Sequence, residues 1–434
     1  MTLTTTSGSD LRTSTTTVLC ISDSDTRLKW TQTTARALSD SLVADTPVSI
    51  TLVSLADGAV PSERQLTENA VTTAHLVVDE DGLDDLLDVE ILVVNTVGSR
   101  LARLLSLVAD RQQRTGRRPI VVTGYAGLVY EKHVEGLVWR LGADVVCCNS
   151  ALDREQFGAI AEQLGADPSC LVRTGASVVT AAAKVERDRP VWPPHTVVFA
   201  VQPDVPRHRS DRLYLLERLV GYARAFPDRD VIVKLRSHPD EATTHRERHH
   251  YGELYERSVV DRPPNLRIEY GHMSTYLAVA DLLLTVSSTA ALEAAAMGVP
   301  AGVLTDVGLG ESLGNHAFIG SGLLVSMNDV DADVRPDLDP GWAATNGLDD
   351  DDDPANLAVR VRQLLEQRSE GSLPLPSPYV AERSTPRLHA RSIAPTGASG
   401  ESDRRVGRGK TLLRSVLRGP ARRWYRRVDR WARS

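Results

Sequence analysis

The stretch VIVKLRSHPDE (231–241) carries cations where a buried parallel strand should be apolar. Alternation sets Lys234 and Arg236 on one face of that strand, near its carboxyl end. Cations there make sense if they project toward an anion in a cleft. On an edge strand they would merely snorkel. Of the five lysines (Lys29, Lys132, Lys184, Lys234 and Lys410), only Lys234 falls in a predicted strand. Pro239 restricts the residue before it to extended backbone, which pins His238 either at the cleft mouth or in a plain turn.

A second stretch, DLLLTVSSTAALEAAAMGVPAG (281–302), runs from a strand through Ser287, Ser288 and Thr289 into a helix of strong formers that stops at Gly298. Hydroxyls at a helix start either cap it or accompany free N–H groups that attract phosphate. Glu293, in the second turn, is either a surface residue or a hydroxyl-binding carboxylate.

Candidates for a general base lie in the N-terminal half. SDSDTRLKW (22–30) follows the first predicted strand, so Asp23 or Asp25 faces a cleft there, or starts the next helix as a cap. In TGYAGLVYEKH (123–133), Gly124 and Gly127 beside Tyr125 would let backbone approach an acceptor. Glu131 and His133 are further base candidates, with a solvated helix face as the alternative. His316, in GLGESLGNHAFIGSG (308–322), is a cleft-border or a structural histidine.

The elements that must position these residues alternate regularly. Apolar runs at 17–21, 48–53, 74–78, 89–94, 119–123 and 144–148 read as strands, with helical patterns at 27–42, 98–113, 132–141 and 151–164 between several of them. A connection at 174–195 contains Pro190, Pro193 and Pro194. The alternation then restarts, with strands at 196–201, 230–235, 265–270, 281–286 and 300–304 and helices at 211–225, 288–297 and 355–367. This predicts an α/β chain of two Rossmann-like, doubly wound domains (17–173 and 196–370) facing a cleft at the carboxyl ends of their strands. A disordered lead (1–16), a Ser/Pro/Gly-rich linker (371–400) and a basic tail (401–434) complete the expectation.

Composition narrows the class. The chain has 434 residues, enough for two or three domains. Its longest apolar run falls well short of the ~18 residues of a membrane span. The N-terminus lacks a basic and an apolar secretory region. Cys20, Cys147, Cys148 and Cys170 have no metal-ligand spacing and read as reduced thiols, which points to a reducing compartment. The Asp run 349–353 reads as solvated acids leading a helix rather than a calcium loop. Net charge is −7, but 401–434 holds 12 basic and three acidic residues, leaving an acidic body. In that tail Leu413, Leu417, Trp424, Val428 and Trp431 share a helical stripe, with Arg414, Arg418, Arg422, Arg426 and Arg433 largely elsewhere. Such a helix suits an anionic lipid surface; nucleic acid and a solvated tail are the alternatives.

The HP after a Lys-bearing strand and the SST turn together resemble the HP and SS motifs of capsular-polysaccharide transferases, bacterial sialyltransferases and CDP-glycerol glycerophosphotransferases. LEAAAMGVP (292–300) resembles the LEA-x-x-x-G-x-P segment of many GT-B glycosyltransferases. The resemblance is to an uncharacterised bacterial family of GT-B transferases, and it covers roughly 196–330. It implies a nucleotide donor held by the second domain, of CMP or CDP type first and UDP type next, with no metal or other cofactor. His238 would donate to a donor phosphate, Ser287, Ser288 and Thr289 would bind phosphate oxygens, and Glu293 the ribose. Lys234 and Arg236 would stabilise the leaving group. Two departures are Thr285, eight residues before Glu293 where many retaining enzymes carry a second Glu, and Thr285-Val286 in place of Asp-Tyr. The expectation is a cytoplasmic transferase, peripheral at the inner face of the plasma membrane, building an envelope or capsular glycan on a lipid-linked or glycan acceptor. A nucleotide-sugar epimerase and a non-catalytic nucleotide-sugar-binding protein are the rivals.

Overall fold

The computed structural model describes residues 15–42, 47–127, 133–239, 241, 247–349 and 353–379. Among these, the β-branched runs form two parallel sheets. The first contains β1 (Thr16–Ser22), β2 (Val48–Leu55), β3 (Ala74–Val78), β4 (Ile91–Asn95), β5 (Ile120–Gly124), β6 (Val145–Cys148) and β7 (Leu171–Arg173), in the order β3-β2-β1-β4-β5-β6-β7. The second contains β8 (Thr196–Ala200), β9 (Asp230–Lys234), β10 (Leu266–Glu269), β11 (Leu282–Thr285), β12 (Ala301–Leu304) and β13 (Leu324–Val325), in the order β10-β9-β8-β11-β12-β13. Strand order reverses between β1 and β4 and between β8 and β11. Each reversal opens a crevice at the carboxyl ends, where doubly wound domains bind ligands.

Around the first sheet lie α1 (Asp25–Leu42), α2 (Glu63–Glu68), α3 (Gly98–Thr115), α4 (His133–Val138) and α5 (Ala151–Gln163). After α6 (Ser177–Ala182), the second sheet carries α7 (Arg209–Ala225), α8 (Tyr251–Ser258), α9 (Met273–Leu277), α10 (Ala290–Ala296), α11 (Met327–Asp331) and α12 (Pro340–Thr345). Alternate residues feed opposite cores. Val197 and Phe199 pack with α7 and α8, whereas Val198 and Ala200 pack with α6 and α10. Cys20 and Cys147 lie in one core of the first sheet and Cys148 in the other; all four cysteines are free thiols.

Three segments depart from expectation. The last long helix, α13 (Ala355–Ser369), was assigned to the second domain by order along the chain. Its Leu357, Ala358, Val361 and Leu364 instead join the core of the first sheet with Leu28, Leu38 and Val122. The chain therefore returns to the domain it started from. The opening of the expected linker follows it: Leu373 is buried in that core, Arg118 donates to the Pro374 carbonyl at 2.7 Å, and the Tyr379 N–H donates to the Leu141 carbonyl at 3.1 Å. Within the expected connection 174–195, Ala176, Val179 and Ala182 are buried in a core of the second sheet. Asp353 leads its helix as anticipated, its carboxylate accepting from the Ala355 N–H at 2.8 Å. Glu131, the rest of the linker from 380 and the tail 401–434 lie outside the described residues. No helix among the described residues is long and apolar enough to cross a membrane.

Candidate functional site

Between its first residue, Asp230, and its last, β9 is apolar. Lys234 ends it, between Ala200 of β8 and Glu269 of β10, and is only 7% exposed. Desolvation pushes its ammonium down to about 8; Glu68 and Glu293 favour the charge, and Arg236 and Lys29 oppose it. Glu293, on α10, is also 7% exposed. Burial pushes its carboxyl up, and the ammonium groups of Lys29 and Lys234 draw it back. His272, just before α9, is pushed down to about 4 by burial, then by Lys29 and Lys234. Its Nδ1 accepts from the Ser274 N–H at 3.3 Å, so the neutral ring carries its proton on Nε2.

Lys29 comes from α1 in the first domain; Lys234, His272 and Glu293 come from the second. Among the described residues, no side chain hydrogen-bonds or ion-pairs directly with Lys29, Lys234 or Glu293. Buried ionisable groups that feel one another without closing into a pair are costly, and such groups mark ligand sites. Sequence reasoning found Lys234 and Glu293 but passed over Lys29 and His272. The available signal was the scarcity of lysine, since two of only five converge here.

The other predicted residues sort differently. Arg236 lies beyond the strand and reaches across the cleft, donating to the Asp25 carboxylate at 2.9 and 3.2 Å and to the Thr26 hydroxyl. Asp25 is thus an interdomain ion-pair partner rather than an open base. Asp23 is buried and saturated: its carboxylate takes Arg27 at 2.5 Å, Arg100 at 3.0 Å and the Val97 N–H at 3.0 Å. That last bond ties the end of β1 to the loop after β4, at the first sheet's crevice. Gln202 does the same in the second sheet, its side-chain oxygen accepting from the Ser287 N–H at 3.0 Å and hydroxyl at 3.1 Å.

Ser287 is buried and its hydroxyl also faces the Leu313 carbonyl at 2.5 Å, so its one proton has two acceptors within the protein. The Ser288 hydroxyl accepts from the Ala290 N–H at 3.2 Å, and the Ser288 N–H goes to the Thr285 hydroxyl at 3.2 Å. Ser288 thus satisfies an N–H at the helix start, while Ser287 is held by Gln202 and Leu313. Thr289 meets the other domain: a Cβ on Gly127 would lie 3.3 Å from its methyl. The His316 segment borders the same helix start through Leu313. His316 itself is half-buried in a short turn at 315–318.

Gly124 and Tyr125 turn out to be structural. A Cβ on Gly124 would sit 2.5 Å from the Trp30 ring and 2.9 Å from Cys147 Cβ. Tyr125 stacks on Phe157 with centroids 5.1 Å apart, under the Arg140 guanidinium at 3.8 Å. His133, at the start of α4, stands 6.3 Å from the same Phe157 ring, away from the lysine cluster's elements. His238 lies flat on Tyr270, with centroids 3.8 Å apart and planes at 17°. The 310 Å³ cavity beside it is lined by Glu241, Glu247 and Glu253 together with Arg248 and His250, and Arg64 and Arg212 pair with the first two carboxylates.

Two parallel doubly wound domains, with ionisable groups from both converging at the strand ends, define the two-domain α/β class of GT-B glycosyltransferases and nucleotide-sugar epimerases. The chain belongs to the family described as "Putative glycosyltransferase (DUF6716)", whose model matches residues 18–364. No curated protein matches the chain. Among solved structures, a "putative UDP-N-acetylglucosamine 2-epimerase" from Listeria monocytogenes is similar over 84% of this chain and 99% of its own, with 12% identity and a TM-score of 0.50. A second UDP-N-acetylglucosamine 2-epimerase shares 12% identity over 84% of this chain and 98% of its own, also at 0.50. The Neisseria meningitidis UDP-GlcNAc 2-epimerase, bound to UDP-GlcNAc, shares 10% identity over 82% and 100%, at 0.47. The two likenesses at 0.50 show the fold.

Proposed function

We propose that the chain is a glycosyltransferase that moves a sugar, or a related phospho-polyol, from a nucleotide-activated donor to a glycan or lipid-linked acceptor of the cell envelope or capsule. The observation that carries this reading is the directly unpaired set of buried Lys234 and Glu293 and half-buried Lys29 where the two domains meet. Transfer of a sugar breaks the bond between the anomeric carbon and the phosphate oxygen, and transfer of a phospho-polyol breaks the P–O bond of the phosphoanhydride; in both, negative charge grows on the departing nucleotide phosphate. Lys234 and Lys29 are the groups to balance it, in a site too dry for water to do so. Glu293 accepts from a hydroxyl of the donor, and neutral His272 has an Nε2–H to donate. The carboxylate-lined cavity beside His238 suits ribose hydroxyls. CDP-type and CMP-type donors are favoured by the HP and SS resemblance, with UDP-type next.

A thermal-shift panel of CMP, CDP, UDP, GDP and dTDP on wild type, His238→Ala and Lys234→Met tests the donor site. Saturation at a hundredfold over the dissociation constant stabilises by about 2.7 kcal/mol. A shift with one nucleotide that is lost in Lys234→Met supports the reading, and no shift with any nucleotide in folded protein removes it. Incubating the matching nucleotide-sugar without acceptor then separates transferase from epimerase, since only an epimerase converts the free donor.

The basic tail is proposed to hold the enzyme on the anionic inner face of the plasma membrane, with 12 basic and three acidic residues over 401–434. Full-length chain should sediment with vesicles containing anionic lipid and not with zwitterionic ones, whereas a chain ending at 400 should sediment with neither. Equal sedimentation of both chains would remove the proposal.

A further inference from the structure

Two ion-pair bridges cross the cleft, and each has a first-domain ionisable group one helical turn beyond it. On α1, Asp25 and Thr26 take the Arg236 guanidinium, and Lys29 follows Asp25 by four residues, on the same helix face. On α2, Arg64 donates to Glu241 at 2.8 Å, the capping Ser62 hydroxyl donates to it at 2.7 Å, and Glu68 follows Arg64 by four residues. Glu241 also accepts from the His238 N–H at 2.9 Å, so this bridge grips the His-Pro turn. On the other side of the cleft the spacing is that of a strand end: Arg236 is two residues past Lys234. Lys29 and Glu68 both act on the Lys234 ammonium.

Resting on the reading of Lys234 and Glu293 as the donor site, we propose that the Arg236–Asp25 bridge is an interdomain latch that positions Lys29 beside them. The donor phosphate site is then complete only with the two domains joined. Arg236 and Asp25 are positioning residues, and Lys29 is the group that touches phosphate. The geometry supports this over a direct role for Arg236: its Nη2 is held by a first-domain carboxylate and hydroxyl, which aims the side chain at α1, whereas Lys29 and Lys234 have no direct side-chain partner among the described residues. A helix rotated or withdrawn by losing its first-turn anchor takes Lys29 with it, because both residues sit on one rigid turn.

The test is a double-mutant cycle on the affinity of the full-length chain for CDP and UDP, measured by calorimetry, with unliganded melting curves as the folding control. Asp25→Asn and Arg236→Gln should each weaken binding by about fivefold, the scale of a part-buried ion pair. Lys29→Met should weaken it at least as much. In the Lys29→Met background, Arg236→Gln should cost nothing further. The charge swap Asp25→Arg with Arg236→Asp should restore most of the affinity.

Additive losses for Lys29→Met and Arg236→Gln, or a loss with Arg236→Gln that Asp25→Asn does not share, would make Arg236 a direct ligand and overturn the latch. Binding unchanged by Lys29→Met would overturn it too. A wild type that binds neither nucleotide sinks the donor-site reading itself, and with it this inference.

Discussion

Lys234 supplies the sharpest prediction because burial gives it opposite effects on stability and on binding. Its ammonium titrates near 8 instead of the ordinary 10.5. That displacement, about 2.5 pH units, corresponds to about 3 kcal/mol. Between pH 8 and 10.5 the unfolded chain holds a proton that the folded chain has released, so the free protein should become more stable as pH rises through this window. A donor phosphate needs the charged form, so nucleotide affinity should fall by about tenfold per pH unit above 8. At pH 8, binding should draw in about half a proton.

The assay is calorimetric titration with CDP and UDP from pH 7 to 10, in buffers of different ionisation heat, alongside urea denaturation of the free protein. Lys234→Arg should abolish the alkaline fall in affinity, since a guanidinium keeps its proton throughout. Lys234→Met should weaken binding at pH 7 and remove the rise in stability between pH 8 and 10. Identical proton uptake in wild type and Lys234→Arg would refute the reasoning, as would a stability profile that Lys234→Met leaves unaltered.

Three further outcomes follow from the same contacts. Glu293→Gln removes the anion that supports the Lys234 charge, so the alkaline fall in nucleotide affinity should move below pH 8 in the same titration. Asp23→Ala leaves Arg27 and the Val97 N–H without their acceptor while Arg100 keeps Asp57 and Glu80, and urea denaturation should show a loss of about 1–3 kcal/mol. Gly124→Ala drives a methyl into Trp30 and Cys147, at a cost of about 1–3 kcal/mol read as a lowered melting temperature.

The strands that were recognised were legible because each is marked by an apolar or β-branched run of five or six residues. Those that escaped notice, LVR (171–173) and LV (324–325), are edge strands of three and two residues, too short to carry one. α13 was recognised as a helix and given to the wrong sheet. Its apolar face states that it must be buried, and nothing in the stripe says against which core.

The candidate site divides along the same line. Lys234 and Glu293 stood out locally, one as a charge in an apolar strand, the other as the lone acid in an alanine-rich helix. Tyr125, Gly124 and Ser287 also stood out, yet they pack or bond against Phe157, Trp30 and Gln202, partners far away in the chain.

Residue type and period by themselves determined two doubly wound domains and the strand ends at which a ligand site would form, because local sterics and hydrophobic alternation act over a few residues. Tertiary structure alone decided that Lys29 meets Lys234, that Arg236 bridges to Asp25, and that the last helix returns to the first sheet. Each of these joins residues about 200 or more positions apart. A charge advertises that it needs a partner, but which one it meets is set by where two folded domains come together.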